Sequence, residues 1–121
     1  MTDIVILDGA RTAIGTFGGS LAATPPIELG TVAAKAALER SGVEGGQIGQ
    51  VVFGKVINTE PKDTYLSRAA AMQAGMPDTR PAMNVKRLCG SGAQEIVSAV
   101  QTLMLGDADV ALAGGAENMS R

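Results

Sequence analysis

Residues 80–105 read RPAMNVKRLCGSGAQEIVSAVQTLML, and this stretch decides the fold. Arg80 to Lys86 reads as a short strand. Cys89 to Leu105 reads as a long helix that opens on Cys-Gly-Ser-Gly. Working outward, Gly106-Asp107 ends that helix, and Asp109 to Ala113 forms a strand running into Gly114-Gly115. Upstream, Ile4-Val5-Ile6-Leu7 is a β-branched run closed by Asp8-Gly9, the pattern of a buried strand. Pro25-Pro26 precedes a helix from about Ile27 to Ser41, whose apolar positions alternate with Glu28, Lys35, Glu39 and Arg40. Gly42 is its natural stop. Gln50 to Ile57 reads as the second strand, and Thr64 to Ala74 as a small-residue helix closed by Gly75 and Pro77. The order β-α-β-α-β-α-β implies an α/β fold with a parallel, right-handed, doubly wound sheet.

The helix at Cys89 carries one charged residue, Glu95, whereas the first helix carries four. An ordinary surface helix is more charged than that. It is therefore expected to be buried on more than one side, by more than this chain supplies. The chain stops at Met119-Ser120-Arg121, shortly after a buried-type strand and with no closing helix, so it reads as part of a larger fold.

The 121 residues are 45% hydrophobic and 18% charged, which fits a folded domain. Ten basic and twelve acidic residues give a net charge of −2, and aromatics are 2%. Neither property favours nucleic acid or an anionic membrane. There is one Cys and no His, which excludes an internal disulfide and a Cys/His zinc site. A single thiol and no export signal point to the cytosol.

The chemistry concentrates at Arg87-Leu88-Cys89-Gly90-Ser91-Gly92. A Cys at a strand–helix junction meets converging helix amides and the positive end of the helix dipole, both of which favour thiolate. Gly90 and Gly92 clear side chains from the first turn. The Cys89 amide can also donate to an oxyanion. The competing reading is a buried structural thiol. Gly9 to Gly15 is glycine-rich but matches neither G-x-G-x-x-G nor a Gly-Lys-Ser/Thr phosphate loop, so it reads as a structural turn. Arg11 and Arg68 can bind anions, although an ion pair or a carbonyl cap explains either.

Three ordered segments resemble the N-terminal portion of thiolases, the acetyl-CoA acetyltransferases and 3-ketoacyl-CoA thiolases. Arg11 to Leu21 is similar to that family's opening motif, and Val85 to Gly92 to its nucleophile motif. Gly106-Asp107 with Gly114 to Ser120 is similar to the segment leading into its loop domain. Thr59 to Arg68 resembles the bacterial broad-specificity β-ketothiolases. The resemblance implies that residues 1–121 are most of the thiolase N-terminal domain, without its loop and C-terminal domains. It implies that Cys89 is the nucleophile and backbone oxyanion donor, taking an acyl group from acyl-CoA as a thioester in ping-pong fashion. The substrates would be coenzyme A thioesters, with no tightly bound cofactor and no metal.

The remaining machinery of that family is an activating His, a second Cys and most CoA contacts, and it lies outside this stretch. A complementary polypeptide is therefore expected, within a homo-oligomer that pairs through the edge strand at Arg80 to Lys86. Lys86, Ala93 and Glu95 depart from the family's pattern, where Asn, a larger apolar residue and a small residue are usual. Glu95 is either paired with Lys86 or Arg87, or protonated, or the mark of a loosened site. A close alternative is a ketosynthase-type condensing enzyme; readings from other classes are a non-catalytic thiolase-like scaffold and a dinucleotide-binding module.

Overall fold

The computed structural model describes residues 3–121. Helix α1 spans Pro26–Ser41. It starts on a Pro, which fits the first helical position because its missing N–H is not needed there. It ends at Gly42, whose φ of 71° is left-handed and whose amide returns to the Glu39 carbonyl. Strand β1 is Gln50–Gly54, helix α2 Leu66–Gln73, strand β2 Ala82–Val85, helix α3 Ser91–Met104 and strand β3 Ala111–Gly115. A 3-10 segment, Pro61–Tyr65, leads into α2.

The sheet is parallel with order β2-β1-β3, and Val52 is registered against Met83 on one side and Ala113 on the other. Alternation along β1 then sorts its residues between two layers. Val51 and Phe53 join Ile27, Ala34, Leu38, Leu66, Ala70 and Leu112 in the core under α1 and α2. Gly54 faces the other way, against Ser91 and Glu95 of α3. The central strand is buried throughout except at Gln50, as a strand covered on both faces should be.

Two expectations are revised. The run Ile4–Leu7 forms no strand, and Ile6 is 81% exposed. It stands off the free edge of β3 across a groove of about 660 Å3, with α1 and α3 behind it. A β-branched run marks a preference for a sheet, but pairing needs a neighbour within hydrogen-bonding distance. The sheet therefore has three strands here rather than four. The long helix begins at Ser91, which leaves Cys89 in the turn before it. As the low charge of α3 suggested, this chain covers only part of the helix. Ile96, Val97 and Met104 remain exposed.

Candidate active site

Cys89 lies in a tight turn between the end of β2 and the start of α3. The Gly90 amide donates to the Arg87 carbonyl at 2.9 Å, and the Ser91 amide to the Leu88 carbonyl at 3.0 Å. Closing this turn puts Leu88 at φ 48°, and Leu88 is the only non-glycine among the described residues with positive φ. Such a conformation costs on the order of 1 kcal/mol and must be held by its surroundings. Ser91 holds it: its Oγ accepts the Arg87 amide at 2.8 Å and donates to the Leu88 carbonyl at 2.8 Å. The result presents Cys89, the chain's one thiol, exposed rather than buried. The structural-thiol reading required burial. A Cβ on Gly92 would meet nothing within 4 Å, so the first turn of α3 is open there.

All three strands end on this side of the sheet, where parallel α/β sheets place their ligands. After β1 and β3 the chain builds a charged cluster that sequence reading missed. Lys55 is 4% exposed, and its Nζ lies 3.5 Å from Asp63 and 3.4 Å from Glu117. Asp63, fully buried, also accepts the Thr59 amide at 2.7 Å and the Thr59 hydroxyl at 2.9 Å. Burial pushes the Asp63 carboxyl up, but the Thr59 hydrogen bonds and the Lys55 charge outweigh it and hold it below the ordinary value. Glu117 additionally accepts the Val56 amide and, at 3.4 Å, the Ile57 amide.

The segments quoted for the family resemblance are partly brought together. Asn118 donates to the carbonyls of Leu21, Ala22 and Thr24, so the closing segment grips the opening one. Between them lies a cavity of about 450 Å3 lined by residues of Arg11–Phe17 and Gly115–Ser120. Cys89 is not part of that lining. Arg68 is a carbonyl cap, donating to Arg80 and Asp78. Arg11 is exposed and reaches the neighbouring Thr12 carbonyl.

Glu95 pairs with neither Lys86 nor Arg87. Arg87 instead donates to Gln94 at 2.6 Å. The Glu95 carboxylate accepts the Gly54 amide at 2.8 Å, in a space that exists because Gly54 and Gly115 lack side chains. Burial pushes its pKa up to about 7, against that hydrogen bond, which favours the charged form. A raised carboxyl pKa makes ionisation unfavourable to the folded state. Stability therefore falls as pH rises from about 4.5 to about 7 and is flat above. Glu95→Gln keeps an acceptor for Gly54 and removes the charge. It is expected to stabilise the protein by about 2 kcal/mol at pH 8 and by about a quarter of that at pH 5. Urea titrations at the two pH values check this.

The family model described as "Thiolase, N-terminal domain" matches residues 4–121. The chain belongs to the thiolase family. It is 57% identical over 119 residues to a beta-ketothiolase (BktB) of Cupriavidus necator, covering 98% of this chain and 30% of that protein. It is 49% identical over 120 residues to an acetyl-CoA acetyltransferase of the same organism, covering 99% of this chain and again 30% of the relative. Among solved structures it matches the Bacillus anthracis acetyl-CoA acetyltransferase with a TM-score of 0.89 at 39% identity, over 96% of this chain and 29% of that one. The human mitochondrial 3-ketoacyl-CoA thiolase in complex with CoA matches with the same TM-score at 35% identity, over 98% and 32%. The thiolase chain thus spans about 30% of the length of the curated relatives it matches. Its β2-β1-β3 sheet and flanking helices are part of the thiolase fold. No helix among the described residues is long and apolar enough to cross a membrane.

Proposed function

We propose that this chain is the nucleophile-bearing part of an acyl-CoA C-acyltransferase, acting in thiolytic cleavage or Claisen condensation. The observation that carries the reading is the turn at Cys89. A thiolase-family chain holds a strained Leu88 in place with Ser91, and thereby offers its only thiol to solvent at the C-terminal edge of the sheet. In the first half-reaction the Cys89 thiolate adds to the thioester carbonyl of acyl-CoA. The carbonyl–sulfur bond to CoA breaks, CoA leaves as thiolate and takes up a proton, and the acyl group remains on Sγ. Free CoA or a second acyl-CoA then accepts the acyl group. The Cys89 amide serves the developing oxyanion.

The chain has no His, so any imidazole base comes from outside it. We assign that role to a complementary region, which also covers the apolar face of α3 and the groove beside β3. The open edge at β2, with Met83, Leu88 and Tyr65 exposed, is the surface we assign to pairing with a second copy. The compartment we assign is the cytosol. The substitutions Lys86, Ala93 and Glu95 beside the nucleophile favour a second reading, a non-catalytic thiolase-like scaffold.

Incubation with acetyl-CoA followed by peptide mass spectrometry separates the two. Acyl transfer predicts an acetyl group on the Cys89 peptide, removable by free CoA and absent in Cys89→Ala. A scaffold predicts an unmodified Cys89 peptide in the presence of the complementary region.

A further inference from the structure

We propose that Glu95 is a positioning residue for Cys89: its carboxyl, wedged between the ends of β1 and β3 and the first turn of α3, holds the turn that carries the thiol and, when ionised, opposes a second negative charge there. The inference rests on reading Cys89 as the nucleophile. It concerns a residue that departs from the family's pattern.

The route is short and continuous. A Cβ on Gly54 would lie 2.6 Å from the Glu95 carboxylate and 3.2 Å from the Ser91 Cβ. Glu95 and Ser91 therefore bear on the same point of β1, one helical turn apart. Ser91 in turn makes the two hydrogen bonds that close the Arg87–Leu88 turn. Moving the carboxyl moves the helix start against β1, and with it the turn. The carboxylate is also anchored on the sheet side, by the Gly54 amide at 2.8 Å.

Among the described residues Glu95 takes part in no ion pair. Glu95 is the one charged residue of α3. β1 and β3 offer it glycines, Gly54 and Gly115. Lys55, just past β1, is engaged by Asp63 and Glu117, and Arg87 by Gln94. Lys86, past the end of β2, is exposed. Asp3, Asp8 and Arg11 of the opening segment and Asp109 before β3 line the same groove, and α1 adds no ionisable side chain to it. Burial pushes the Glu95 carboxyl up to about 7, so it changes charge within the pH range of the test below. Glu95 stands four residues, about 6 Å, into α3 and Cys89 two residues before it, so at most about 13 Å of backbone separates them, well within one Debye length in low salt.

The test is the rate of iodoacetamide alkylation from pH 6 to pH 9.5, in low salt, for the protein and its Glu95→Gln and Glu95→Ala variants. Cys89 is the only thiol, so the rate reports it alone. Far-UV circular dichroism confirms that each variant is folded. Glu95→Gln is expected to match the parent at pH 6, where Glu95 is mostly neutral. Glu95→Gln is expected to react about threefold faster at pH 8.5, with the ratio shrinking as salt is added. Glu95→Ala, which also loses the anchor, should show the same pH trend with an added, pH-independent change. A Gln-to-parent ratio of one throughout, or a ratio that does not vary with pH, overturns the proposal. Acetylation of Cys89 by acetyl-CoA is a separate measurement. Its failure would remove the catalytic reading and leave the alkylation ratios standing.

Discussion

Lys55→Met is expected to destabilise the protein by about 3–5 kcal/mol, the usual cost of breaking a buried ion pair from one side. The substitution leaves Asp63 without its cation while it stays fully buried, and one of its oxygens, Oδ1, already lacks a hydrogen-bond partner. Glu117, the other partner, is 37% exposed at its side chain and recovers part of its solvation. At a total stability of about 5–15 kcal/mol, a loss of this size moves the melting temperature by more than about 10 °C. The loss should be specific in pH. The Asp63 carboxyl is held below its ordinary value, so its contribution is complete above about pH 4 and disappears as pH falls through the folded value. Without Lys55 the carboxyl protonates more readily, and protonation removes the unpaired charge. The gap between Lys55→Met and the parent should therefore narrow between pH 5 and pH 3. An equal gap at both pH values in thermal melts would mean that Lys55 acts through packing rather than charge.

Gly54→Ala is the second large effect. The added methyl would stand 2.6 Å from the Glu95 carboxylate, 3.2 Å from the Ser91 Cβ and 3.3 Å from the Ser91 carbonyl carbon. The carboxylate is the end of a flexible side chain and can retreat. The Ser91 backbone cannot retreat unless α3 lifts from the sheet. Overpacking of this kind costs about 1–3 kcal/mol, and lifting α3 also strains the turn at Leu88. Combining it with Glu95→Ala should recover only the part owed to the carboxylate, so the two changes couple without cancelling. Chemical denaturation of the two single variants and the double variant measures that coupling. Full recovery in the double variant would show that the helix backbone is not under pressure.

The helices were legible in the sequence because each signals locally. α1 is bounded by Pro26 and Gly42 and was read to within a residue. The strands were legible as apolar runs, but their ends were not. β1 stops at Gly54 rather than Ile57, because the residues beyond it turn to Glu117 for their hydrogen bonds. β3 runs two residues further than its apolar pattern, through Gly114 and Gly115, whose missing side chains admit the Phe53 ring and the Glu95 carboxylate. Ile4–Leu7 misled because β-branching reports a preference for a sheet and says nothing about which neighbour is present. The strand–turn–helix junction around Cys89 was legible from its glycines, while Ser91, which fixes the turn, was read only as part of the motif. The Lys55–Asp63–Glu117 cluster had no local signature. Lys55 and Glu117 are 62 positions apart, and nothing in either neighbourhood points to the other. Glu95 stood out as a charge in an apolar helix. Its true neighbour, a glycine amide on a strand, carries no side chain from which a pairing can be read.

The grip of Asn118 on the carbonyls of Leu21, Ala22 and Thr24 has a consequence for the order of events in synthesis. These contacts span 94 to 97 positions. Chains emerge from the ribosome N-terminus first, and contacts of long sequence separation form late because their loop must close. The opening segment therefore leaves the exit tunnel early and waits, with its turn unclamped, until Asn118 has been made. In a pulse-labelled hydrogen-exchange experiment the amides of residues 16–24 should gain protection after those of α1, although they precede it in the chain.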